Sequence, residues 1–103
     1  MKKVEIDLTK NSLNEYGGSY STLGNSIKLL LGAMFNNIKI PTTVKGTKSE
    51  IQSFLDTLVK EKRYMAAYLN YGLDDPRTYR NKAVLDGATR NFERVTGIKW
   101  PFK

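Results

Sequence analysis

A short joint in the last third of the chain constrains the fold more than any other feature of the sequence. It reads Gly72-Leu73-Asp74-Asp75-Pro76. Glycine reaches the backbone conformations that end a helix, and aspartate caps the start of the next one. Proline is tolerated at the first helical position because its missing N–H has no partner there. The joint therefore predicts a helical hairpin, with one helix ending at Gly72 and another beginning at Pro76.

The helix before the joint has a clear start. Thr47 and Glu50 have the spacing of a capping box, in which the threonine side chain accepts from the backbone of residue 50 and the glutamate reaches back. We expect this helix to run from Lys48 to Tyr71. Apolar residues at helical spacing, with the stem of one lysine among them, predict its buried stripe. The stripe consists of Ile51, Phe54, Leu55, Leu58, Lys62, Met65 and Leu69.

The helix after the joint is expected to run from Pro76 to Thr96, where Gly97 closes it. Trp100 and Phe102 follow, and we expect both rings to dock on the body of the protein because large aromatic side chains gain most from burial. The predicted buried side of the helix consists of Val84, Leu85, Ala88, Phe92 and Val95.

The first 45 residues combine two strand patterns with one helical pattern. Polar and apolar residues alternate from Lys3 to Leu8 and again from Ile38 to Lys45, where Pro41 indicates an edge strand. A helical period runs from Ser21 to the Asn36-Asn37 pair, after a loop predicted over residues 9–19. A helical crossover favours parallel pairing of the two strands, with antiparallel pairing as the alternative.

These patterns predict one domain over residues 1–103. Its fold class is α+β and mainly helical: three helices, a small two-stranded sheet, and a long αα-hairpin in the C-terminal half. Gly24 and Gly32 fall inside the first helix, where glycine either weakens the helix or marks close packing.

Two absences in the composition limit the chemistry. The 103 residues contain no cysteine and no histidine. Disulfides and thiolate metal sites are thereby excluded, and the commonest general base and metal ligand is missing. Asp74 and Asp75 belong to the joint, while Asp56 and Glu61 are too far apart on a helix to form a catalytic pair. We therefore expect a non-enzymatic protein with no cofactor and no metal.

No stretch of the sequence is typical of a membrane or export segment. The longest apolar run, residues 29–35, is too short to cross a bilayer, and Glu5 and Asp7 interrupt the apolar core that a signal peptide needs. We expect a cytoplasmic protein that does not bind membranes. Its lysine- and asparagine-rich, cysteine-free composition resembles that of small phage-encoded proteins, which would place it in the host cytoplasm or the virion.

The charge suggests a partner. A net charge of +7 and a pI near 9.7 favour nucleic acid or an acidic protein surface, and a merely solubilising surface is the alternative. Arg80, Arg90 and Arg94 share one side of the third helix, although Asp86 and Glu93 border it. At the start of the second helix, an anion site and a plain cap are alternatives. The predicted polyanion-binding residues are Arg80, Arg90, Arg94, Lys60, Arg63 and Lys48.

A protein interface is the competing hypothesis. It would use a tyrosine row on the second helix, which otherwise leans on a neighbouring helix, or a small-residue face on the third. Such an interface suits a homo-oligomer or a structural module, including a phage accessory or virion component. Its residues are Tyr64, Tyr68, Tyr71, Ala83 and Gly87.

The early residues of the third helix suggest one more interpretation. Arg77, Arg80 and Asn81 occupy positions that the recognition helix of a helix-turn-helix uses for base contacts. The helix before the joint is about twice the length usual for that motif. A simple αα-hairpin is therefore favoured.

Overall fold

The computed structural model describes residues 4–9 and 17–102, with side chains in the first helix described from residue 23 onward. The fold is α+β and mainly helical, as the sequence predicts. The first helix begins before the predicted Ser21, because residues 17–19 are helical and not part of a loop; residues 10–16 of that loop lie outside the described residues. The elements are β1 (Val4–Asp7), α1 (Gly17–Phe35), β2 (Thr42–Lys45), α2 (Lys48–Tyr71) and α3 (Pro76–Thr96).

α2 and α3 form the antiparallel hairpin, with the bounds that the sequence predicts. The Thr47 hydroxyl accepts from the Glu50 N–H at 3.2 Å, and the Glu50 carboxylate accepts from the Thr47 N–H at 2.8 Å, which completes the capping box. Asp75 caps α3 by accepting from the Arg77 N–H at 2.8 Å. Gly72 has the positive φ that favours glycine, 83°, but its ψ of 170° is not that of the left-handed helix expected.

β1 and β2 pair in parallel, with Val4 opposite Thr42, and α1 is the crossover between them. β2 begins at Thr42 and not at the predicted Ile38, because Pro41 just before it has no N–H to give to a ladder. The Pro41 carbonyl still accepts from the Val4 N–H at 2.9 Å. The sheet covers the core with the buried side chains Val4, Ile6 and Leu8.

The buried stripe of α2 is rotated from the predicted one. Leu55 and Leu69 are 47% and 67% exposed, and Val84 on α3 is 52% exposed, so these three assignments to the core were wrong. Ile51 and Met65 are partly buried against the core. The buried residues are Ser53, Phe54, Thr57, Leu58, Glu61 and Ala67 on α2 and Thr78, Leu85, Ala88, Thr89, Phe92 and Thr96 on α3.

Hydrogen bonds explain why polar residues replace leucine inside the hairpin. The Thr57 hydroxyl lies 2.7 Å from the Ser53 carbonyl and 3.2 Å from the Ala88 carbonyl on the other helix. The Thr78 hydroxyl donates to the Gly72 carbonyl at 2.7 Å. Each hydroxyl is satisfied within the protein, so its burial carries little penalty, and its small size lets the two helices approach.

Trp100 docks in the core together with the tail that carries it, as predicted. Its side chain is 1% exposed, and Ile98 two residues before it is fully buried. Edge-to-face and tilted ring contacts of this kind add to the hydrophobic gain from burial. The ring-centroid distances from Trp100 are 5.2 Å to Phe92, 6.0 Å to Phe54 and 6.3 Å to Phe102.

Two glutamates hold the docked tryptophan by hydrogen bonds. The indole Nε1 donates to the Glu61 carboxylate at 2.9 Å, and the Trp100 backbone N–H donates to the Glu93 carboxylate at 2.9 Å. Glu61 is only 5% exposed. Burial raises the pKa of its carboxyl group above the ordinary value, although the indole hydrogen bond and the charge of Lys82 act in the opposite direction.

Leu58 on α2 and Phe92 on α3 test the rotated stripe, with Leu55, three residues before Leu58, as the control. We expect Leu58→Ala to lower the free energy of unfolding by about 2–5 kcal/mol and Phe92→Ala by about 3–5 kcal/mol, because each empties a buried position. The matched control Leu55→Ala should cost less than about 1 kcal/mol because Leu55 is half exposed. Urea denaturation of the three variants measures this. Equal losses at residues 55 and 58 would contradict the helical phase described here.

A pH series tests the burial of Glu61. A raised pKa means that protonated Glu61 stabilises the folded state below the ordinary value of 4.5 and that this stabilisation is lost as the pH rises through the folded-state pKa. We expect the parent protein to lose stability relative to Glu61→Gln as the pH rises above 4.5 and through the raised folded-state pKa, since glutamine can still accept from the indole. A stability difference that does not change over this range would contradict a desolvated carboxyl group.

Candidate polyanion-binding face

The outer face of α3 carries three arginines. Arg80, Arg90 and Arg94 are all exposed, and at about 100° per residue they lie on the side opposite the buried Leu85 and Phe92. With a rise of about 1.5 Å per residue, the row is about 21 Å long. The structure brings these three predicted residues together. We call this surface the α3 outer face; it consists of Tyr79, Arg80, Ala83, Gly87, Arg90 and Arg94.

The two acidic residues beside this face are both engaged. The Lys82 ammonium lies 3.0 Å from the Asp86 carboxylate, so a cation one helical turn away offsets the charge of Asp86. The Glu93 carboxylate accepts from the Trp100 backbone N–H, which directs it towards the tail. The sequence predicts that these acids weaken the field of the arginines. Lys82 reduces this effect for Asp86, whereas Glu93 keeps its charge and is only fixed in direction.

The three arginines differ in their own contacts. The Arg94 guanidinium donates to the Asn91 side-chain oxygen at 2.6 Å. Arg80 is close enough to Asp75 for its charge to lower the pKa of that carboxyl group slightly. None of the ion pairs formed within residues 4–9 and 17–102 involves Arg90. A guanidinium carries five N–H donors, so all three side chains keep donors that can reach an anion.

Arg77, at the start of α3, is already used by the joint. Its guanidinium donates twice to the Asp75 carboxylate, at 3.0 Å each, and lies 3.5 Å from the centre of the Tyr71 ring. The hydrogen bonds from Arg77 lower the pKa of Asp75 to about 2 and the same contact raises the pKa of Arg77. Asn81 donates to the Arg77 carbonyl at 2.7 Å. Two of the three side chains that a helix-turn-helix would turn towards bases are therefore held locally.

The basic residues predicted on α2 are less available than those of α3. Lys60 forms an ion pair with Asp56 one turn earlier. Arg63 is exposed, and so is Lys48 in the first turn. The Glu50 carboxylate occupies the start of α2 as part of the capping box, which favours a plain helix cap over an anion site there. Arg63 and Lys48 are therefore exposed, whereas Lys60 is held by Asp56.

The tyrosine row of α2 serves mainly to join the two helices. Lys82 of α3 lies 5.6 Å from the centre of the Tyr64 ring, and Arg77 of α3 covers Tyr71. Both contacts are cation–π interactions within the hairpin. Tyr68 lies between them along α2 and is 45% exposed. Tyr71 is 46% exposed even with Arg77 over its ring, so both Tyr68 and Tyr71 keep surface that a partner could contact.

The small residues of the α3 outer face border open space. Ala83 is exposed, and a Cβ built on Gly87 would meet no other atom within 4 Å. The sequence argument that Gly87 has a packing reason therefore finds no support among the described residues. Glycine in a helix interior weakens the helix relative to alanine, so what Gly87 provides is an unobstructed surface between the arginines.

The contacts made by the two acidic residues beside the α3 outer face were not predicted from the sequence. The pairing of Lys82 with Asp86 follows an i, i+4 spacing that could have been recognised. The bond from the Trp100 backbone to Glu93 depends on how the tail folds back and has no local signal. Within the described parts of the chain, no cluster of three or more acidic side chains could hold a metal ion, and no helix is long and apolar enough to cross a membrane.

Comparisons with protein-family models, with curated proteins and with solved structures found no match to this chain. What the α3 outer face can do must therefore be argued from its own geometry. It presents positive charge along a helix, with small residues between the charges.

The open space at Gly87 gives a stability prediction. We expect Gly87→Ala to raise the free energy of unfolding by up to about 1 kcal/mol, because alanine favours the helix and its methyl group meets no neighbour. Chemical denaturation of the variant and the parent measures the change. A loss of stability would instead reveal a close contact at this position and restore the packing explanation.

Proposed function

We propose that the protein is a non-enzymatic binding protein for nucleic acid or a similar polyanion and that the α3 outer face is its binding surface. One observation carries this proposal: Arg80, Arg90 and Arg94 are exposed together, while the two acids that border them are engaged by Lys82 and by the tail. The net charge of +7 supports it, because it attracts polyanions from a distance.

The expected mode of binding follows from the side chains present. Arginine forms paired hydrogen bonds with phosphate oxygens, and each neutralised phosphate releases condensed counterions. Contacts to a phosphate backbone carry no sequence information, so we infer binding with little sequence preference. Two of the three side chains at the start of α3 are tied to the joint, which argues against base readout from that end.

The small residues make close approach feasible. Ala83 and Gly87 lie between the arginines in the sequence and on the same side of α3, and neither blocks the surface with a long side chain. A backbone of phosphates, running along a row about 21 Å long, would span several charges. Arg63 on α2 is a further contact in this arrangement, and Lys60 and Lys48 are secondary ones.

A second candidate function, a protein-interaction module, is favoured by a different observation. Apolar side chains are exposed where α2 ends and α3 begins: Leu69 is 67% exposed, Leu73 56% and Tyr79 58%, with Tyr68 nearby. Exposed aromatic and aliphatic side chains of this kind are enriched in protein interfaces. This candidate predicts association that is insensitive to salt.

The salt dependence of binding tests the first proposal. We expect the parent to bind duplex DNA with a steep slope of log affinity against log salt, and the triple variant Arg80→Gln, Arg90→Gln, Arg94→Gln to flatten that slope by up to about three units. Folding should survive in the variant because these side chains are exposed. Fluorescence anisotropy with labelled duplex at four or more salt concentrations gives the slope.

A matched control separates the location of charge from its amount. Lys28→Gln, Lys39→Gln, Lys45→Gln removes the same three charges from exposed positions outside α3, so both variants have the same net charge. The proposal requires the arginine variant to lose much more affinity than the lysine variant. Equal losses would mean that only net charge matters, and no binding at low salt would leave the protein-interaction module as the leading function.

A further inference from the structure

A pocket lies between α1, α2 and the C-terminal tail. It has a volume of 440 Å³, which is in the range of sites that hold small molecules. Its walls are mainly apolar and come from three separate parts of the chain, so it exists only in the folded protein. The apolar side chains that line it are Leu31 and Phe35 from α1, Met65 from α2, and Phe102 from the tail.

One wall of the pocket carries a buried carboxylate. Glu61 lines the pocket, is 5% exposed overall, and accepts a hydrogen bond from the Trp100 indole. A carboxylate has about four acceptor positions. Among the described residues, the bond from Trp100 is the one hydrogen bond that reaches this group. An acceptor with spare capacity, set in an otherwise apolar wall, is the arrangement that orients a small ligand.

A glycine keeps the pocket accessible. Gly32 lines it, and a Cβ built there would meet no atom within 4 Å. The other glycine of α1 differs, because a Cβ at Gly24 would touch Pro101 of the tail at 3.6 Å. A distance of 3.6 Å is an ordinary van der Waals contact, so a Cβ would fit at both positions, although a glycine at either one weakens the helix. A large side chain at residue 32 would project towards the pocket.

Two lysines near the pocket offset the charge of Glu61. The exposed Lys28 contributes to the lining, and the Lys62 ammonium lies 5.8 Å from the centre of the Phe35 ring. These two positive charges offset the negative charge of Glu61, so the pocket does not need a cationic ligand to balance that carboxylate. A neutral N–H or O–H group on an otherwise apolar molecule suits both the acceptor of Glu61 and the apolar walls.

We propose that this pocket binds a small, largely apolar molecule that carries one neutral hydrogen-bond donor, such as a phenol, with the donor directed at Glu61. The apolar walls supply most of the affinity through burial, and the carboxylate supplies orientation and selectivity. This site is separate from the α3 outer face and does not depend on polyanion binding.

Phenol and benzene are suitable probes because they differ in the hydroxyl group alone. We expect phenol to shift the methyl NMR signals of Leu31 and Met65 saturably, with a dissociation constant on the order of 1–10 mM for so small a probe. Benzene should bind about tenfold more weakly, because it makes no hydrogen bond to the carboxylate. Benzene that binds as tightly as phenol would overturn the assigned ligand class.

Two glycine variants locate the binding. Gly32→Leu should weaken phenol binding at least tenfold by filling the mouth of the pocket, whereas Gly87→Leu, which makes the same change on an open face of α3, should leave it unchanged. Both keep the core intact, so folding is not at risk. Phenol shifts that persist in Gly32→Leu would overturn the proposal. Shifts of the same methyl signals that depend on protein concentration without phenol would assign the pocket to a second copy of the chain and also overturn it.

Discussion

The hydrogen bond between the Trp100 indole and the buried Glu61 carboxylate is the contact on which the arrangement of the helices depends. It joins the C-terminal tail to the middle of α2 across 39 residues, and the Trp100 backbone adds a bond to Glu93 on α3. The same ring packs against Phe54 and Phe92, one on each helix of the hairpin. A buried indole N–H without an acceptor is costly, so the tail, α2 and α3 are tied into one unit. That unit turns the arginines of α3 towards solvent.

The hairpin could be predicted from the sequence because its signals are local. A capping box, a glycine and an Asp-Pro pair each act within a few residues of the boundary they define. The face that each helix buries was predicted less well. Counting apolar residues placed Leu55 and Leu69 in the core, whereas the structure buries Thr57 and Glu61. These polar side chains are accepted inside because Ser53, Ala88 and Trp100 complete their hydrogen bonds. Ala88 and Trp100 lie 31 and 39 residues away from the groups they contact, and such distant partners leave no trace in a helical period.

The candidate sites differ in the same way: some of their features follow from neighbouring residues in the sequence, and others depend on contacts that form only in the folded protein. The common face of Arg80, Arg90 and Arg94 follows from helical geometry alone, and all three side chains are exposed. The hydrogen bond of Arg77 to Asp75 and its cation–π contact with Tyr71 could not be predicted, because they depend on the geometry of the folded joint. The pocket beside Glu61 could not be predicted either. It is assembled from α1, α2 and the tail, and none of these segments contains a recognisable ligand motif.

The partners in the α2–α3 hairpin are closer together in the sequence than the partners in the β1–β2 pair, and this difference imposes an order on folding. Only the residues from Gly72 to Asp75 separate α2 from α3, so these helices meet at a small loss of chain entropy. The parallel strands are separated by the whole of α1, with Val4 reaching Thr42, and closing that larger loop is slower. The hairpin is therefore the natural nucleus, and the strand pair joins it late. Changes in the sheet should act mainly on the unfolding rate, while changes in the hairpin core should act on the folding rate.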